Sequence, residues 1–101
     1  MSPQLEKLLG TPRDGALLRY SLGLEYAKAG DNDKAVQYLR DAVERDALYS
    51  AAWKALGKSL TERRKNEEAL AAYEKGIAAA QQKGDRQAEK EMTVFAKRLR
   101  K

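Results

Sequence analysis

Moved 34 residues along and laid over itself, the chain matches position by position. Leu22-Gly23 falls on Leu56-Gly57, Asn32 on Asn66, and Ala35 on Ala69. Val36 meets Leu70, Leu39 meets Tyr73, Ala42 meets Gly76, and Val43 meets Ile77. A fixed period of this size is the mark of a repeat architecture, in which each copy buries its apolar side against its neighbour. Within each copy the apolar residues recur every three or four positions, so the repeating unit is built of helices.

Helix boundaries follow from the punctuation. Ser2-Pro3 reads as a helix start, Leu5, Leu8 and Leu9 give that helix one apolar edge, and Gly10 ends it, for an amino-terminal helix over 2–9. Thr11-Pro12-Arg13-Asp14 carries a second start signal, followed by Leu18, Leu22, Tyr26 and Ala29 on one face and Gly30 as the stop. Asp31 caps a helix whose apolar face is Ala35, Val36, Leu39, Ala42 and Val43. Ala52, Trp53, Leu56, Gly57 and Leu60 define the next, ended by the polar break Arg64-Lys65-Asn66. Ala69, Leu70, Tyr73, Gly76 and Ile77 define another, which ends near Gly84. Asp85 caps a last helix with Ala88, Met92, Phe95 and Leu99 on one face. The expectation is an all-α chain of about six helices, joined by turns short enough to force antiparallel hairpins.

Two helices per 34-residue unit, with these residues at these places, resemble the tetratricopeptide repeat. The second copy carries the pattern as Trp53-x2-Leu56-Gly57-x2-Leu60 followed by Ala69-x3-Tyr73 and Gly76. The first has Leu22-Gly23-x2-Tyr26, Ala35-x3-Leu39 and Ala42, but Arg19 stands where the bulky apolar residue belongs. The proline that often closes each repeat is absent, with Ala47 and Gln81 in its place. The resemblance implies an α-α superhelix in a single domain over 1–101, with repeats at 16–49 and 50–83 and a capping helix at 85–100. Small residues at 23, 57, 35 and 69 let facing helices approach, and the larger signature side chains fill the space between them, so packing accounts for this whole set.

The resemblance also implies a function: in this family the first helix of each repeat lines a concave groove that holds a peptide or helix of another protein. Carried onto this sequence, the groove would present Leu17, Tyr20, Leu24 and Ala27 from the first repeat, and Ala51, Lys54, Lys58 and Thr61 from the second. These positions lie off the packing stripe, so Tyr20 and Leu24 are candidate anchors and Lys54 and Lys58 would favour an acidic partner. The alternative is that Leu17 and Leu24 pack against the helix at residues 3–9 and close the groove. Some family members grip a carboxy-terminal carboxylate with lysines and asparagines. Here the only asparagines, Asn32 and Asn66, fall between helices, which argues against that mode.

Composition removes other classes. The chain has no Cys and no His, so thiol chemistry and the usual zinc sites are excluded, and no metal or cofactor is expected. Asp31-Asn32-Asp33 lacks the glycine and glutamate of a calcium loop, and helix capping accounts for its acids. No acid, base and nucleophile form a recognisable constellation, so catalysis is not expected. Without a signal peptide or a long apolar run, the expected setting is cytoplasmic and off the membrane.

Charge supplies the rival reading. Residues 1–50 hold seven basic and eight acidic side chains, and residues 51–101 hold thirteen and seven. Arg63-Arg64-Lys65 and Lys97-Arg98-Leu99-Arg100-Lys101 could neutralise phosphates of a nucleic acid. No aromatic residue alternates with them and acids stand close by, which favours a protein partner. Two repeats bury little surface, so a weak homodimer is the alternative to a monomer.

Overall fold

Three of the helices of this chain stop at a turn with a positive-φ residue. The computed structural model describes residues 3–100 and contains six helices over that range: α1 (Pro3–Glu6), α2 (Ala16–Lys28), α3 (Asn32–Arg45), α4 (Ser50–Glu62), α5 (Asn66–Lys83) and α6 (Arg86–Leu99). After α2, α4 and α5 the backbone turns left-handed at Gly30 (φ 83°), Arg64 (φ 59°) and Gly84 (φ 71°). Each turn closes in the same way. The amide of the next residue donates to a carbonyl five residues back: Asp31 to Tyr26 (2.9 Å), Lys65 to Leu60 (2.9 Å) and Asp85 to Ala80 (2.8 Å). This is the Schellman motif, which satisfies the orphan carbonyls of a helix end. Asp31 and Asp85 then cap the following helix, accepting from the amides of Lys34 and Ala88 at 3.2 Å. Lys65 holds the same place before α5 and makes no side-chain cap.

The amino-terminal segment departs from the expectation. The helix expected over 2–9 is only Pro3–Glu6, and Ser2, its expected cap, lies outside the described residues. The Thr11-Pro12 signal does not start α2, which begins at Ala16 with Gly15 as N-cap. The polar side chains of the signal serve a turn instead. The Thr11 hydroxyl donates to the carbonyl of Leu8 and accepts from the amide of Arg13, and the Asp14 carboxylate accepts from the amide of Gly10 at 2.9 Å.

Packing follows the small residues. α2 pairs with α3, α4 with α5, and α3 and α5 each continue onto the next hairpin helix, α4 and α6. A Cβ on Gly23 would stand 2.6 Å from Leu39 Cγ, and one on Gly57 would overlap the ring of Tyr73. Leu22, Leu39, Leu56, Leu60 and Met92 are fully buried, so the apolar stripe read from the sequence is the core. One cluster joins α2, α3 and α4 to the first turns of α5, and a second joins α5 to α6 around Tyr73, Ala80 and Met92. α2 touches α4 and α4 touches α6, whereas the backbones of α3 and α5 stay apart and are bridged by the exposed ion pair of Arg40 with Glu68 at 2.7 Å. The stack is therefore tighter on the α2–α4–α6 side, which becomes its inner face.

Position 19 and its counterpart 53 show how the two hairpins solve one problem with different chemistry. Trp53 is mostly buried and packs against both core clusters. Its ring lies on the outer side between α3 and α5, with its N–H donating to the Ala47 carbonyl at 2.8 Å and Lys75 Nζ 5.8 Å from a ring centre. Beside it stands Ala72. One period earlier Arg19 lies over the Tyr38 ring at 5.9 Å and bonds Asp41 at 3.0 Å. Thus Trp with Ala and Lys is exchanged for Arg with Tyr and Asp. A large ring is supplied from either helix, and the charge is reversed to match.

Candidate partner-binding face

Leu17, at 69% exposure, and Leu24, at 38%, are the most open large apolar side chains of α2. Seven residues apart, they lie almost one above the other on a helix. Leu18, Leu22 and Tyr26 turn to the core, so nothing in the packing of α2 uses Leu17. The short helix α1 does not cover the pair. It docks at Tyr26, whose hydroxyl donates to Glu6 at 2.7 Å. That bond, with burial, pushes the Tyr26 pKa up to about 12.

The other residues expected on this face are more engaged. Tyr20 is half-buried, its ring 4.9 Å from that of Tyr49 just before α4, and with Ala27 it packs against the first core cluster. Ala51 is partly buried on the first turn of α4. Lys54 pairs with Glu91 of α6 at 3.1 Å, so its charge is largely answered within the chain. Thr61 donates its hydroxyl to the Gly57 carbonyl at 2.8 Å. Lys58 also reaches α6, with Nζ 5.4 Å from the Phe95 ring centre.

Lys58 opens onto a feature absent from the sequence-based site. A cleft of about 410 Å³ lies between the end of α4 and α6, lined by Lys58, Thr61, Glu62, Tyr73, Phe95, Arg98 and Leu99. Arg98 also lies over the Phe95 ring, at 5.9 Å. Tyr73 is almost wholly buried, and burial raises its pKa, so it stays a neutral phenol. Residues 58, 73 and 95 are far apart in sequence, and only the docking of α6 brings them together. The single legible hint was Phe95 on the apolar face of the last helix.

Of the basic clusters, Arg63 pairs with Asp33, Lys65 approaches Glu68 at 4.0 Å, and Arg100 bonds Glu74 at 2.9 Å. Asn32 and Asn66 are the first residues of α3 and α5, away from the inner face. Among the described residues no group of three or more acidic side chains could hold a metal ion, and no helix is long and apolar enough to cross a membrane.

Comparison with known proteins agrees with this geometry. The family model described as tetratricopeptide repeat matches residues 16–59. The TPR repeat-containing protein PA0015 of Pseudomonas aeruginosa is 48% identical over 95 residues, covering 94% of this chain and 90% of that one. The chain belongs to the tetratricopeptide repeat family. The solution structure of protein BPP2914 from Bordetella parapertussis superposes on this repeat protein with a TM-score of 0.81 at 44% identity, over 96% of this chain and 84% of that one. A tetratricopeptide repeat domain protein from Salinibacter ruber shares the fold, with a TM-score of 0.80 at 23% identity, over 86% of this chain and 97% of its own. Tetratricopeptide repeats are in general modules for protein interaction, and their fold is typically a non-catalytic scaffold.

Proposed function

We propose that this tetratricopeptide repeat protein is an adaptor that receives a peptide or helix of a partner protein along the inner face of α2, α4 and α6. The observation that carries this reading is the exposed pair Leu17 and Leu24 on the side where alternate helices meet. Apolar side chains left in water beside a concave backbone surface offer area that a partner can bury. Tyr20, Ala27, Ala51 and Thr61 extend that face, and Lys54 and Lys58 bring positive charge to it. The shared Lys54–Glu91 pair makes Lys58 the stronger attractor of the two. On this reading the repeats span 16–49 and 50–83, and α6 closes the stack over the second.

A nucleic-acid partner is disfavoured because members of both basic clusters are engaged with Asp33, Glu68 and Glu74. The test is photo-crosslinking in the native cell, with benzoylphenylalanine placed at Leu24 or, as an outer control, at Gln82. A discrete protein adduct from position 24 and none from 82 supports the groove. Adducts from 82 alone would move the partner to the outer face.

A further inference from the structure

Phe95 is flanked by two cations, Lys58 and Arg98. Lys58 Nζ and the Arg98 guanidinium stand 5.4 and 5.9 Å from the centre of this one ring, and among the described residues neither forms an ion pair. Lys54 on α4 and Arg100, the residue that caps the end of α6, do. Like charges gathered beside one low-dielectric wall repel each other, and an incoming carboxylate relieves that repulsion. The wall itself is apolar, formed by Phe95 and Leu99 over the buried ring of Tyr73.

We propose that the cleft between α4 and α6 binds an acidic side chain of the partner, held between Lys58 and Arg98, with an adjacent apolar side chain laid on Phe95 and Leu99. The assignment rests on the reading that a protein segment occupies the inner face, and it names the chemistry of that segment: Glu or Asp beside Leu, Ile or Phe. Glu62 stands at the same cleft and leaves it one net positive charge. A single acid flanked by apolar groups suits that balance. A polyphosphate backbone would bring several charges against Glu62 and leave the apolar wall unused.

The test uses the full chain labelled with ¹⁵N. Two capped octapeptides are titrated into it, one with a single Glu between two leucines in a Gly-Ser frame and one with Gln in place of that Glu, followed by an eight-residue oligothymidylate. The Glu peptide should shift the amides of Lys58, Phe95 and Arg98, and the Gln peptide should bind at least about fivefold more weakly. Lys58→Ala with Arg98→Ala should weaken the Glu peptide about tenfold, with the fold intact by circular dichroism, whereas Lys90→Ala should not. Equal binding of the two peptides, or no shift at these three amides, overturns the cleft assignment alone. Shifts confined to α3 and α5 would overturn the groove reading as well. Tighter binding of the oligothymidylate would replace the peptide with a nucleic acid.

Discussion

Replacing Arg64 by glycine should stabilise this protein. Arg64 holds a φ of 59° in the same turn that Gly30 makes at 83° one period earlier. Both turns carry the same bonds: Gly30 donates to the Ala27 carbonyl at 3.1 Å and Arg64 to Thr61 at 2.9 Å. A side chain in the left-handed region costs about 1–2 kcal/mol. Glycine in the unfolded chain gives back about 0.5–1 kcal/mol of that gain as extra entropy. The net expected gain is about 0.5–1 kcal/mol, and Arg64 forms no ion pair among the described residues to set against it.

Lys65→Asp adds the cap that Asp31 and Asp85 supply elsewhere, for about 1 kcal/mol, less a small loss from the exposed 4.0 Å contact with Glu68. The pair of changes should raise the melting temperature by about 4–8 °C per kcal/mol gained. Urea unfolding followed by circular dichroism should show a higher midpoint with an unchanged slope. Two controls isolate the cause. Gly30→Arg, where nothing lies within 4 Å of the added Cβ, should lose about what Arg64→Gly gains, and Arg64→Ala should gain nothing. If Arg64→Gly were neutral or destabilising, or Arg64→Ala gained as much, the turn would not be strained and the reasoning would be wrong.

Gly57→Ala should destabilise by about 0.5–2 kcal/mol in the same assay, because the new methyl overlaps the Tyr73 ring and helix propensity returns only part of that cost; a gain would mean that α4 and α5 can separate freely. Asp14 is held well below the usual carboxylate range, chiefly by the Arg19 guanidinium and then by the Gly10 amide. Its contribution is therefore present above about pH 4, the unfolded value, and is lost as the pH falls toward the folded one. The urea midpoint of the parent should drop between pH 5 and pH 2.5 more than that of Asp14→Asn, and parallel curves would count against the bond. Removing residues 86–101 should expose Tyr73, which Phe95 contacts at 5.5 Å, and uncover Gly76, against which Met92 packs. The shortened chain should aggregate or melt much earlier, and an equally stable monomer on analytical sedimentation would show that α6 is not a cap.

The helices from α2 onward were legible because local chemistry and global packing agree there. Gly30 and Gly84 at the stops, Asp31 and Asp85 at the starts, and apolar residues at helical spacing all point to one answer, and the 34-residue period doubles the signal. The amino-terminal segment misled for the opposite reason. Thr11 and Asp14 are good caps by type, but Arg19 and Asp14 bond at 2.7 Å and the carboxylate also takes the Gly10 amide, so the same side chains hold a turn. Capping residues also favour turns, and here the Arg19–Asp14 pair, five residues apart, holds them in that use.

The face was half legible. Periodicity placed Leu17 and Leu24 off the core stripe, and they are exposed. It could not show that Tyr20 leans on Tyr49 or that Lys54 is answered by Glu91. Nor could it bring Lys58 and Arg98 to one ring. Helical spacing is a property of neighbours within a turn or two, so the sequence by itself determined the helices, their pairing and the buried stripe. Which side chains meet across the inner face depends on how far α2, α4 and α6 approach one another. That distance follows from how closely each helix packs on the next, where Gly23, Gly57 and Gly76 lie under Leu39, Tyr73 and Met92, contacts between residues 16 apart that only tertiary packing makes.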